Sequence, residues 1–366
     1  MTEASPILRV PPDAAPSADL VERVVALLRE GAVVALPTET VYGLAVRADR
    51  ADTVARLAEL KGRPADRAFT WHVGSGVDEA LSRFPEPWHS ARRLARRYWP
   101  GPLTLVLHGV PEGLEPISRG GWTGIRCPAQ PATQQVLGAA EFPIAMTSAN
   151  VHGEAPLADA REIAQRWPGG AIELVVDAGP PRLGEASAVL QLGPRHFSLL
   201  RQGLLDEDKL RDAAGLRIGF VCTGNTCRSP MAEGLARRLL ATRLGAANDA
   251  IERFGFEVAS FGVFALPGAP AADEAVVVMR REGIDISGHH SRVAEPEALE
   301  RFDVLYALTA GHLAALAERA PERVVLDLLD PAGNDIPDPI GQGAAAYERT
   351  ARTLRAALEA RVAQWV

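Results

Sequence analysis

Residues Cys222 to Pro230 read CTGNTCRSP, directly after the apolar run LRIGFV and directly before the amphipathic stretch MAEGLARRLL. A strand-to-helix turn of this kind aims several backbone N–H groups and a helix N-terminus into one small space, which suits an oxyanion. Gly224 is expected to let the backbone curl without a side chain intervening. Cys222 opens the loop and Arg228 closes it, so a sulfur lies in a positive field with a guanidinium fork at its rim. That combination predicts a nucleophilic cysteine working on a phosphate-sized anion. A metal site is not expected: the Cys222–Cys227 spacing is not a zinc knuckle, and Cys127 is the only other cysteine.

A second set of polar residues is scattered over the N-terminal half. PTETVYGLA, from Pro37 to Ala45, follows the apolar run AVVAL and offers hydroxyls and a carboxylate at a strand end, where open α/β sheets bind ligands. Lys61, Arg63 and Arg67 follow in ELKGRPADR, then His72 in WHV, Arg126 in GIRCP, Ser148 and Asn150 in TSAN, Ser187 in GEASAVL and Arg201 in LLRQG. Each has a plain structural reading beside the chemical one. A run of cations is commonly a solvated face, and a single His in an apolar strand is commonly a hydrogen-bonded core residue.

Apolar runs alternate with helical patterns throughout, which predicts α/β architecture. Residues 1–16, with prolines at 6, 11, 12 and 16 and no periodicity, read as a disordered tail. Ser17 is placed to cap a helix over ADLVERVVALLRE that Gly31 ends. PIAMTS, ELVVDAG and SAVLQL are further strand candidates. The charged stretch around DEDKLRDAAGL separates two domains, giving 17–204, a linker at 205–215, and 216–366. At 366 residues, 47% hydrophobic and 23% charged, the chain has the make-up of a two-domain globular protein. A net charge of −7 argues against non-specific nucleic-acid binding by the whole surface. The sparse cysteines and the absence of a membrane-length apolar run or signal pattern point to the cytoplasm, with no membrane partner.

The CTGNTCRSP loop resembles the signature of the low-molecular-weight protein-tyrosine-phosphatase family, and the resemblance extends over about residues 216 to 366. It implies a doubly wound parallel sheet and no cofactor. Cys222 would attack phosphorus, Arg228 would bind the equatorial oxygens, and Thr223, Gly224, Asn225, Thr226, Cys227 and Ser229 would complete the phosphate loop, with the Ser229 hydroxyl supporting the thiolate. Asp338, in DIPDPIG, matches the family's general acid. SFGVFALPG, GIDISGHHSR and FDVLYALTAGH are expected to supply strand, helix and strand. Ile340 and Gly341 stand where tyrosine-directed members carry aromatic residues, and Thr226 is similar to the bacterial arginine phosphatases, so a phosphotyrosine or phosphoarginine protein is the substrate. An arsenate reductase is the weaker alternative, since Cys227 is the only thiol near Cys222.

PTETVYGLA, KGRP, YWPGPLTLVL, GIRCP, TSAN and LLRQG resemble, in that order, the YrdC/Sua5 family of L-threonylcarbamoyladenylate synthases. The resemblance implies a twisted open α/β sheet that joins L-threonine, bicarbonate and ATP, with Mg²⁺ accompanying the nucleotide, for tRNA adenosine modification. Thr40, His72, Arg126 and Ser187 would take threonine and its carbamate. Lys61, Arg63, Arg67, Ser148, Asn150 and Arg201 would take ATP, side-chain cations replacing the phosphate loop of a Walker motif. The chain departs from the family pattern at Arg67-Ala68-Phe69 and at Ala188. Those departures keep open a rival reading, an RNA-binding regulatory protein whose synthase-like half has lapsed. Arg92, Arg93, Arg96 and Arg97 read first as a solvated helix face, with a tRNA contact as the alternative. A carbamoyl-transfer domain of hydrogenase maturation is disfavoured by the lack of Cys-rich zinc segments.

Overall fold

Strand periodicity in the N-terminal half is weak because most of its strands are short. They find their place through pairing. A computed structural model describes residues 4–62, 68–85, 89–167, 170–193, 196–247 and 250–365, and the chain divides into two units, Met1–Ala213 and Ala214–Val366. The first contains β1 (Ile7–Arg9), β2 (Val34–Leu36), β3 (Gly43–Arg47), β4 (Thr70–His72), β5 (Leu103–His108), β6 (Trp122–Arg126), β7 (Ile144–Ser148), β8 (Leu174–Asp177), β9 (Ala188–Gly193) and β10 (His196–Arg201). They form one 10-stranded mixed sheet in the order β1-β8-β2-β3-β7-β4-β6-β5-β9-β10.

The helix Ala18–Glu30 begins and ends as its sequence requires. The Ser17 side chain accepts from Leu20 N, and Gly31 takes the left-handed conformation at φ 97°. Its apolar stripe, Val21, Val24, Val25 and Leu28, packs on Val34, Leu36, Leu174 and Val176 of the sheet. The expected disordered tail requires correction: Ile7–Arg9 pairs in parallel with Val175–Asp177. Leu8 and Val10 pack against the same core, so apolar burial orders a segment whose proline content argues for disorder. The stretch read as a linker carries a helix, Glu207–Ala214, with Leu210 fully buried.

The second unit contains β11 (Leu216–Cys222), β12 (Phe256–Gly262), β13 (Val304–Ala307) and β14 (Val325–Leu328), an all-parallel sheet in the order β12-β11-β13-β14. Successive side chains of β11 serve opposite cores. Ile218, Phe220 and Cys222 face helices Arg228–Leu244, Asp273–Arg281 and Ala344–Trp365, whereas Val221 joins Phe261, Phe302, Leu305 and Leu316 on the other face. Burial on both faces explains the unbroken apolar run. The loop after β11 lies where strand order reverses, at the carboxyl edge where such sheets bind ligands. GIDISGHHSR, expected as helix, is instead extended and turned. The helix is the preceding Asp273–Arg281, and Gly283 at φ 73° stops it.

Candidate active sites

In the second unit the turn from β11 into helix Arg228–Leu244 holds Cys222 and Ser229 together, with Cys222 Sγ 2.9 Å from Ser229 Oγ. Asn225 Nδ2 donates to Ser229 Oγ at 2.9 Å, and the serine hydroxyl lies within reach of two acceptors, the sulfur and Phe261 O at 3.3 Å. Asn225 also donates to Ser260 Oγ, accepts from Arg292 N at 2.7 Å through Oδ1, and accepts from His289 Nε2 at 2.7 Å through its carbonyl. Burial lowers the His289 pKa, so the ring is a neutral donor through Nε2. These bonds hold Asn225 in the left-handed region at φ 54°.

Here the structure differs from expectation: the left-handed residue is Asn225, and a Cβ on Gly224 would meet only Thr226 Oγ1, at 3.6 Å. The glycine that the loop cannot do without is Gly262 of β12. A Cβ there would lie 2.5 Å from Thr223 O and 2.9 Å from Asn225 N.

Helix Arg228–Leu244 has no side-chain cap at Cys227, so its first N–H groups open into the loop. Arg228, 5% exposed, donates to Ile336 O at 3.2 Å and to Asp338 Oδ2 at 2.7 Å. Asp338 itself is about half exposed, with 45% of its side chain in solvent. Of the loop residues, Thr226 keeps a half-buried hydroxyl beside Cys227 Sγ at 3.6 Å, and Cys227 takes a contact of 3.3 Å from Tyr347 Oη. Burial and that contact raise the Tyr347 pKa, keeping it a phenol. The Thr223 hydroxyl turns to His312 Nε2, 2.9 Å away. His312 and Tyr347 were not among the expected residues. They come from distant segments, and only the fold brings them to the loop.

In the first unit a cavity of about 500 Å³ lies over one face of the sheet. Alternate residues of adjacent strands floor it: Thr70 and His72 of β4, Gly124 and Arg126 of β6, Thr104 and Val106 of β5, Val189 of β9. Ser148, Ser187 and Arg201 border the same space. Parallel pairing sets His72 directly opposite Arg126. The His72 Nδ1 proton goes to Thr70 O at 2.9 Å. Burial, with Arg126 beside it, pushes the imidazole pKa down to about 3, so the ring is neutral and Nε2 carries a lone pair.

Arg126 is 5% exposed and donates to Glu39 Oε1 and Thr40 Oγ1, both at 2.7 Å, and to Gly101 O. Glu39 accepts from Ala129 N at 2.8 Å with its other oxygen. Thr40 is fully buried behind Arg126 and is not among the residues bordering the cavity. Arg201 donates to Ser187 O at 3.0 Å and Ser187 Oγ at 3.1 Å. Burial, with Arg126 nearby, pulls its pKa below the usual value. Two guanidiniums that share a cavity and repel each other favour an anion between them.

Lys61, the last residue of helix Ala51–Lys61, donates to Ser148 O and Asn150 Oδ1, both at 2.6 Å. Lys61 and Asn150 therefore form a buried tie beneath Ser148, and neither borders the cavity. Arg63 and Arg67 lie outside the described residues. Sequence reasoning missed Arg119, Thr104 and Trp122, which border the cavity. For Thr104 the signal was available in the alternation of LTLVLH. Ala188 alternates with Ser187 and Val189 and is fully buried away from the cavity. On helix His89–Tyr98, Arg92 pairs with Asp78 while Arg96 and Arg97 are exposed. Among the described residues no group of His, Cys, Asp or Glu side chains could hold a metal ion, and no helix is long and apolar enough to cross a membrane.

Residues 26–203 match the Sua5/YciO/YrdC family model, described as telomere recombination, and residues 217–366 match the model of the low molecular weight phosphotyrosine protein phosphatases. The chain is 36% identical over 216 residues to the threonylcarbamoyl-AMP synthase of Pyrococcus abyssi, covering 58% of this chain and 62% of that protein. With the mouse threonylcarbamoyl-AMP synthase it shares 31% over 210 residues, 55% of this chain and 72% of that one. It thus spans less than two thirds of the archaeal relative's length. A solved structure of a doubly substituted P. abyssi Sua5 covers 96% of this chain and 97% of its own, with a TM-score of 0.52 and 22% identity, a likeness of fold.

Proposed function

Because this chain belongs to the Sua5/YciO/YrdC family over residues 26–203 and to the low molecular weight phosphotyrosine protein phosphatase family over residues 217–366, we propose that it is a bifunctional enzyme. Its first unit makes threonylcarbamoyl-AMP from L-threonine, bicarbonate and ATP. Its second unit is a cysteine-dependent phosphatase that acts on phosphorylated protein.

For the first activity the supporting observation is the pair Arg126 and Arg201 bordering one cavity with neutral His72. Arg126 receives the threonine carboxylate, and the His72 Nε2 lone pair accepts a hydrogen bond from the threonine amine or hydroxyl. The amine attacks bicarbonate carbon and water leaves. The resulting carbamate oxygen then attacks the α-phosphorus of ATP and displaces pyrophosphate. Ser148 and Arg201 take phosphate oxygens, Lys61 and Asn150 fix Ser148, and Arg63 and Arg67 are further candidates for the nucleotide. Glu39 has both oxygens engaged, so the described residues do not fit a protein-held Mg²⁺. Pyrophosphate release that requires threonine and bicarbonate together tests the reading. ATP binding without that release would support the lapsed-synthase alternative.

For the second activity the supporting observation is Cys222 Sγ at hydrogen-bond distance from Ser229 with the Arg228–Asp338 pair beside it. The Cys222 thiolate attacks phosphorus while backbone N–H groups and Arg228 hold the oxygens. Asp338 gives its proton to the leaving atom, then takes one from the water that splits the S–P bond and releases phosphate. Thr226 favours phosphoarginine, since its hydroxyl can bond the guanidine nitrogen of an N-linked phosphate. Ile340, 63% exposed, offers no aromatic wall for a phenyl ring. Phosphoarginine and phosphotyrosine peptides assayed side by side decide it, and a strong preference for phosphotyrosine would sink the arginine reading.

A further inference from the structure

Hydrogen bonds join the loop that carries Asp338 to the loop that carries Cys222, and His312 is one of two links between them, the other being Arg228. On the acid side, Asp335 Oδ1 accepts from Ala310 N at 2.7 Å and Ile336 N donates to Leu308 O at 2.8 Å, so residues 335–336 are sewn to the start of helix Ala310–Ala317. Arg228 ties the same loop from within, through Ile336 O and Asp338. His312 stands in the first turn of that helix and is 7% exposed.

Both ring nitrogens of His312 are held. Thr309 Oγ1 accepts from His312 N at 3.2 Å and lies at hydrogen-bond distance, 2.9 Å, from His312 Nδ1. Thr223 Oγ1 lies 2.9 Å from Nε2, so with either neutral tautomer the ring bonds one threonine hydroxyl as donor and the other as acceptor. Thr223 adjoins the nucleophile, and its carbonyl is held by Phe264 N at 2.9 Å. Burial, with Arg228 nearby, pushes the His312 pKa down to about 4, so this arrangement persists at neutral pH. A neutral ring close to Arg228 orients without adding charge.

We propose that His312 is a positioning residue that registers the Asp338 loop against the Cys222 loop through Thr223. This rests on the phosphatase reading above and deepens it. Such a residue acts through Asp338, so its loss weighs most on substrates whose leaving group needs a proton. The test compares phenyl phosphate, a poor leaving group, with p-nitrophenyl phosphate, a good one, in the full chain.

For His312→Leu, kcat on phenyl phosphate is expected to fall roughly tenfold to a hundredfold, within the range of general-acid effects, and kcat on p-nitrophenyl phosphate by only about threefold or less. His312→Gln, which keeps a neutral hydrogen-bonding group near the Nε2 position, should recover most of the loss. Thr223→Val breaks the same bond from the other end without touching the helix. It should show the same leaving-group split, and the double variant should be no worse than either single one. Equal losses on both substrates, or additive effects in the double variant, would overturn the proposal while leaving the phosphatase reading intact. No turnover of either ester by the unsubstituted protein would overturn both.

Discussion

The two sites draw their donors from opposite kinds of sequence. In the second unit one uninterrupted stretch, Cys222 to Ser229, supplies the nucleophile, the backbone N–H groups, the guanidinium and the serine; Asp338 joins them from a distant loop, and Asn225's partners lock the stretch in place. The first unit has no such stretch. His72, Arg126, Ser148, Ser187 and Arg201 come from strand ends or adjoining turns scattered over the sheet and meet only because the strands pair in a particular register. The contiguous site places its charge by backbone geometry. The dispersed one does so by buried side-chain pairs, and those are open to single substitutions.

The largest expected effect is at the contiguous site. Cys222→Ser should remove phosphatase turnover by a factor on the order of 10⁴ or more, as loss of a nucleophile does, and leave threonine-dependent pyrophosphate release unchanged. Asp338→Asn should cost about 10² to 10⁴ on poor leaving groups. Steady-state assays of both reactions on each variant check this. Residual phosphatase activity near the original in Cys222→Ser would show that Cys222 is not the nucleophile.

At the dispersed site the corresponding substitution acts on stability as well. Arg126 and Glu39 have 6% and 4% of their side chains exposed, and Glu39→Ala strands a buried guanidinium. About 3–5 kcal/mol of first-unit stability should be lost, read by denaturant titration. The variant should also show a raised KM for threonine, because Arg126 loses the bond that fixes it. An unchanged denaturation midpoint would show that the pair is a spectator.

Acid sharpens the contrast further. An unfolded histidine takes its proton near 6.5, whereas folded His72 does so only at about 3 and folded His312 at about 4. Between those values the unfolded chain binds more protons, so stability is complete above about pH 6.5 and declines as the pH falls. His72→Gln should blunt the decline of the first unit between pH 6.5 and 4, and His312→Gln that of the second. Stability measured by denaturation at stepped pH gives the answer. If His72→Gln leaves the slope between pH 6.5 and 4 unaltered, His72 is not the buried neutral base that the geometry describes.

The same contrast explains what could be read before any fold was known. Cys222, Arg228 and Ser229 were legible because their chemistry and their neighbours along the chain are the same residues. The ends of helix Ala18–Glu30 were legible because Ser17 and Gly31 act within one turn of it. By contrast, nothing local distinguishes Thr40, buried behind Arg126, from Ser148, which borders the cavity. The need for glycine at 262 is set by Thr223 O, across a strand pairing, and the positive φ at 225 by His289 and Arg292 from another segment. The N-terminal prolines argued for a free tail, and the edge of a sheet that no local signal announces took up Ile7–Arg9.

The smallest expected effect concerns a departure that looked functional. Ala188 interrupts the family pattern between two cavity residues, and as a sequence observation it casts doubt on the substrate contacts. Strand alternation removes that doubt. Ser187 and Val189 border the cavity, so the Ala188 side chain projects from the opposite face, where it is fully buried opposite Leu103 of β5. Ala188→Thr should therefore leave the KM values for threonine and ATP within about twofold, while overpacking costs roughly 1–3 kcal/mol in stability. A marked fall in the threonine KM with no loss of stability would mean that residue 188 reaches the substrate after all. The dispersed site would then depend less on strand register than the pairings of His72 with Arg126 and of Ala188 with Leu103 imply.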